Sequence, residues 1–109
     1  MYQETMVLCG SNGYEKKYYL NEDFESLPQQ IKDELKIACV LYTEEIGGIL
    51  TLEFDEEGKL SFKTTAADND YFYDEIGSAL KIKEMQRDKA DLWESLELFF
   101  RVFFLGEEV

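Results

Sequence analysis

The sequence predicts one α+β domain over residues 1–109, an antiparallel sheet of two hairpins with two main helices on one face, in the order ββαββα. Three observations lead there. Residues 49–65 alternate apolar and polar side chains about an acidic turn, the pattern of a hairpin with one buried face. Two stretches, ending near Ile46 and Leu105, space their apolar residues at the helical period instead. The pair Asn12-Gly13 divides two further apolar runs and accepts the backbone angles of a tight hairpin turn. A hydrophobic fraction of 45% with 15% aromatics is enough for a core, despite a formal charge of −13.

The first hairpin is expected from Glu4–Cys9 and Tyr14–Leu20, a register that sets Val7 opposite Tyr18 and Met6 opposite Tyr19. Gly10 and Ser11 leave a longer loop open as an alternative. Ser26 is expected to cap a helix that begins at Leu27, with Pro28 in its first turn, where a missing N–H costs nothing. On that helix Ile31, Leu35, Ala38, Cys39, Tyr42 and Ile46 share one side, and Gly47 supplies the stop. Ile37–Tyr42 is apolar all round and also fits a buried strand; helix is preferred because no turn signal separates it from Lys36.

Leu50, Leu52 and Phe54, then Leu60 and Phe62, form the alternating face of the second hairpin. Its Asp55-Glu56-Glu57-Gly58 loop ends on a glycine suited to a left-handed position. A polar and aromatic connection, Ala66 to Glu75, leads into helical sequence from about Ile76 to Leu105. A straight helix of that length would reach about 45 Å, too long for a domain of this size, so a break is expected around Gly77–Ile82.

Charge and composition exclude several functions. The chain has no histidine, and 24 Asp and Glu stand against 11 Lys and Arg. Without imidazole there is no Ser-His-Asp triad, no Cys-His pair and no His-ligated zinc. The acid excess opposes nucleic acid and anionic membranes, since both need clustered cations. It favours encounters with basic proteins, and it keeps the domain in solution. No run of 18 apolar residues occurs and the amino terminus lacks a secretory pattern, so a cytoplasmic location is expected. In that compartment Cys9 and Cys39 read as small buried hydrophobes, with a disulfide between them as the alternative.

On the last helix Leu92, Trp93, Leu96, Phe99, Phe100, Phe103 and Phe104 fall within about 140° of arc and read as core. Leu98, Val102 and Leu105 fall on the other side, flanked by Glu97 and Arg101. A helix with two apolar sides needs two neighbours. Either the amino-terminal segment covers the second side or another subunit does, and a homodimer through Leu98, Val102 and Leu105 is the leading inference. Tyr71 and Phe72 are expected under the sheet or at that interface, and the acidity around them repels nucleic acid.

Chemical candidates are weak. Asp68, Asp70 and Asp74 supply carboxylates for a cation, but Phe72 and Tyr73 occupy the positions where an EF-hand loop needs an oxygen ligand and a glycine. Cys9-Gly10-Ser11-Asn12-Gly13 could line an anion with backbone N–H groups, yet it lacks phosphate-loop spacing and a base for the thiol. No pair among the carboxylates is marked out for glycoside chemistry. No catalytic, metal or cofactor residue is assigned.

The strings Leu8-Cys9-Gly10, Gly47–Gly58, Asp74–Ser78 and Arg101–Gly106 make the chain resemble a small uncharacterised bacterial family recorded as a domain of unknown function. The resemblance spans nearly the whole chain and implies a bacterial, cytosolic protein with no assigned activity. Three functions follow as expectations: a protein-interaction domain that pairs with itself, an acidic inhibitor or antitoxin-like protein that binds a basic partner, and, third, a small-ligand sensor or enzyme.

Overall fold

The computed structural model describes residues 5–107. Within them β1 (Met6–Asn12) and β2 (Lys17–Leu20) are followed by a 3-10 turn at Glu22–Phe24 and helix α1 (Gln29–Ile46). Then come β3 (Ile49–Phe54), β4 (Leu60–Thr65), α2 (Glu75–Asp88) and α3 (Ala90–Phe103). The four strands form one antiparallel sheet in the order β2-β1-β3-β4. The class is α+β as expected, with three helices instead of two and the order ββαββαα.

The second hairpin follows its sequence pattern. Leu50, Leu52 and Phe54 alternate inward and are fully buried. The turn is tied by the Asp55 carboxylate, which accepts from the N–H groups of Glu57 and Lys59, both at 2.9 Å. Gly58 takes the left-handed angle the loop requires, φ +87°, with Arg101 and Leu105 of the α3 end packed over it. At the other end of β3, Gly48 has φ +68° and lies so close to the Thr65 carbonyl and the Tyr73 ring that a Cβ has no room.

The first hairpin departs from the expected register. Ser11 pairs with Tyr18 and Gly10 with Tyr19, so β1 runs on to Asn12 and the connection is Gly13–Lys16. Asn12 explains the shift: its side-chain oxygen accepts from the N–H groups of Tyr14 and Glu15, closing a wider turn. Gly13 donates to the Gly48 carbonyl, 2.8 Å, and is held against the start of β3. Glu4, the expected first strand residue, lies outside the described residues.

Helix α1 starts later than expected, after Pro28, and Ser26 does not cap it. The preceding 3-10 turn already uses the Leu27 N–H, which donates to the Phe24 carbonyl at 3.1 Å. Ile37–Tyr42 is helical. It is apolar all round because Cys39 and Tyr42 face the core while Ile37 and Leu41 face solvent. Gly47 ends the helix by donating to Thr43, 2.9 Å.

The long carboxy-terminal stretch breaks at Lys89, not around Gly77–Ile82. Gly77 belongs instead to the cap of α2, where its N–H donates to the Asp74 carboxylate at 2.9 Å. At the true break the Met85 carbonyl accepts both the Lys89 N–H, 3.0 Å, and the Trp93 indole N–H, 2.9 Å. The indole thus spans the corner and fixes how α3 leaves α2.

The core forms between the sheet and the helices, with Leu8, Leu35, Leu50, Leu52, Tyr42 and Leu96 among its enclosed side chains. One of its residues carries no signal in the helical or strand patterns. Phe24, on the 3-10 turn, is fully buried and stacks among the rings of Phe54, Phe99, Phe100 and Phe104.

Candidate functional site

The structure separates the five expected interface residues into two groups. Leu98, Val102 and Leu105 lie at the α3 end beside the β3–β4 turn, where Leu105 packs on Gly58. Tyr71 and Phe72 lie in the loop after Thr65, at the other end of β4. Six residues of strand, about 20 Å, stand between the two groups.

At the α3 end, Leu92, Trp93, Leu96 and Phe100 are buried as expected, but the apolar stripe outruns the core. Phe103 is 71% exposed, because the last turn of α3 carries it past the packed layer to where Phe99 flanks it, ring centroids 4.6 Å apart. Leu98 is 42% and Leu105 39% exposed, and Val102 is half-buried. The second apolar side is therefore not enclosed by the described residues. Glu97 on its border turns inward and accepts the Leu60 N–H at 2.8 Å, anchoring α3 to β4. Arg101 pairs with Glu107 at 3.7 Å.

The loop end behaves differently. Tyr71 is 87% and Phe72 98% exposed, so neither packs under the sheet. The loop turns them outward because their neighbours hold it from within. Tyr14 donates to the Asp70 carboxylate, 2.6 Å, and accepts the Ala67 N–H, 2.9 Å. Tyr73 turns inward to donate to Ser78, 2.8 Å, and Ser78 in turn lies 2.6 Å from the buried Tyr42 hydroxyl. Of the three carboxylates considered for a cation, Asp70 is engaged by Tyr14 and Asp74 by the α2 cap. Among the described residues no group of three or more His, Cys, Asp or Glu is placed to hold a metal.

Cys9-Gly10-Ser11-Asn12 is strand, so its N–H groups serve the sheet and form no anion loop. Cys9 and Cys39 are free thiols, both fully buried, with sulfurs 3.9 Å apart. The contact with Cys9 and then burial hold the Cys39 thiol protonated, its pKa well above the ordinary value. Beside them the buried Tyr18 hydroxyl has no hydrogen-bond partner among the described residues. Burial first, then the two thiols, raise the Tyr18 pKa far above that of a free phenol, and burial does the same for Tyr42.

A phenol held neutral in the fold stabilises it fully below the unfolded-state value near 10 and progressively less as pH rises above that. Tyr18→Phe removes the unpartnered oxygen and should raise stability at pH 7 by about 1 kcal/mol. It should also reduce the drop in Tm between pH 9 and 11; a variant that melts lower than the parent at pH 7 contradicts this assignment.

Among the described residues no helix is long and apolar enough to cross a membrane. Comparison with curated proteins and with solved structures finds no match. The sequence does match, over residues 5–108, a family of unknown function, DUF6145, and the chain belongs to that family.

Proposed function

We propose that this domain works as a protein-interaction module that pairs with a second copy of itself through the exposed end of α3. The observation that carries the reading is the apolar surface of Leu98 and Leu105, 42% and 39% exposed, with the half-buried Val102 between them, on a chain of net charge −13. Leu98 and Val102, one turn apart on α3, form a seam that Leu105 extends just past the helix end, and such a seam is self-complementary when two helices cross about a two-fold axis. Each such side chain moved from water contributes about 1.5–3 kcal/mol when fully buried. The reading is non-enzymatic and cytosolic: Ser78 has no imidazole in the chain to activate it, and a reducing compartment keeps the buried thiols as thiols.

Tyr71 and Phe72 stand too far from this seam to belong to it, and their exposure in an acidic loop favours the second reading, a basic protein docked at the opposite end. Salt separates the two. Pairing of like-charged copies tightens as salt rises, while an acid-to-base complex weakens.

Methyl NMR over a dilution series localises the contact. Resonances of Leu98, Val102 and Leu105 should move with protein concentration while those of Ile37 and Leu41, exposed on α1, stay fixed. Concentration-independent α3 methyls would reject the pairing.

A further inference from the structure

At the end of the sheet away from the α3 tip, the β1–β2 hairpin and one flank of α1 enclose a cleft of about 290 Å³. Three lysines line it: Lys16 and Lys17 from the hairpin and Lys36 from α1. Five of the chain's 11 cationic side chains, those of Lys32, Lys63, Lys81, Arg87 and Arg101, are held in ion pairs. Among the described residues the three cleft lysines have no carboxylate within ion-pair distance, although the chain carries 24. Glu44 lines the cleft with them and Glu15 accepts from the lining Asn12 at 3.3 Å, so three ammonium groups stand against two carboxylates there, a local positive excess in an otherwise acidic molecule.

The rest of the lining is mixed. The Tyr18 ring and Val40 give an apolar wall, and the Ser11 and Thr43 hydroxyls, joined at 2.7 Å, give a polar floor. Lys36, Val40 and Thr43 share a side of α1 through their i, i+4, i+7 spacing. Lys16 adopts a left-handed angle, φ 55°, at the end of the turn that brings it and Lys17 to the cleft. At physiological salt, charges beyond about 8 Å are largely screened, so the chain's net charge weighs less on the cleft than the groups at its lining. The volume lies just below the range of about 300–1,000 Å³ usual for ligand sites, which restricts the occupant to a small molecule.

The geometry points to a binding site for a small phosphorylated molecule, its phosphate held by Lys16, Lys17 and Lys36 and its organic part against Tyr18 and Val40. This site goes beyond the self-pairing of α3 and stands or falls separately, since it shares no residue with that seam.

The test is titration of the full chain with inorganic phosphate, and separately pyrophosphate, followed by amide NMR at constant ionic strength near 0.15 M. Saturable shifts confined to residues 11–18 and 36–44 are expected. K16Q/K17Q/K36Q should weaken binding about tenfold or more, from the loss of charge-assisted contacts. K59Q/K83Q/K89Q, which removes the same charge at three other unpaired lysines, should bind within about twofold of the parent. Both triple variants change exposed or rim side chains, and their melting temperatures check that the fold is intact. Shifts spread over the surface without saturation, or equal weakening in both variants, would overturn the site.

Discussion

Phe24→Ala is expected to destabilise the domain by about 3–5 kcal/mol, a large share of the 5–15 kcal/mol typical of a whole domain. Phe24 is fully enclosed, and its ring lies 4.9 Å from Phe104, 5.7 Å from Phe54 and 6.4 Å from Phe99 and Phe100. Truncation removes contacts to four rings at once and leaves a cavity that the short turn carrying Phe24 cannot close. The effect extends to the α3 tip, because Phe99 and Phe104 lose the ring that backs them. Urea unfolding measures the change, with Tyr19→Ala on the open face of the sheet as the comparison, expected within about 0.5 kcal/mol of the parent. A loss below 1 kcal/mol for Phe24→Ala would mean that the aromatic cluster is not the keystone of this end.

Oxidation of Cys9 and Cys39 to a disulfide should act in the opposite direction. Their sulfurs, 3.9 Å apart, need to close by about 2 Å to reach bonding distance. The bond joins β1 to α1 across 30 residues, and closing a loop of that length stabilises by about 3.5 kcal/mol in the chain-entropy account. In the reaction two thiols give up two protons and two electrons to an added oxidant such as diamide, which becomes the hydrazine. Because both thiols are buried and Cys39 is held protonated, oxidation should be slow in the native protein and fast in mild denaturant. Mass spectrometry detects the loss of two hydrogens, and thermal melting should then show a Tm higher by roughly 10–20 °C. An oxidised form that melts below the reduced one would mean the two elements cannot approach without strain.

How far the sequence could be read depended on whether a residue's role was local. The β3–β4 hairpin was legible because alternation and a glycine-ended acidic turn are properties of adjacent residues. Helix α1 is legible through Ile37–Tyr42 because no turn signal interrupts it, although its all-round apolarity comes from two solvent-facing residues, Ile37 and Leu41. The β1–β2 register was missed because the Asn12 side chain replaces a backbone turn. The α2–α3 corner at Lys89 has neither glycine nor proline, and its fixing bond comes from Trp93, beyond the break.

The surfaces divide in the same way. Helical spacing marks out Leu98, Val102 and Leu105, but it cannot tell where the core ends, and Phe103, on the core stripe by spacing, is exposed. Composition carries no information on which end of a sheet a loop occupies, so the separation of Tyr71 and Phe72 from the α3 seam is visible only in the fold. The lysine cleft had one sequence signal, the adjacent Lys16-Lys17 in a strongly acidic chain. Its third member, Lys36, is brought to it by the packing of α1 on the first hairpin.

Sedimentation equilibrium over a concentration series to about 1 mM, at low and at high salt, tests self-pairing most directly. The parent should approach twice its 12.8 kDa monomer mass, more readily at high salt, while L98S/V102S, which leaves the charge unchanged, should remain monomeric with an unaltered circular dichroism spectrum. A parent that stays at monomer mass across the whole series would contradict the account.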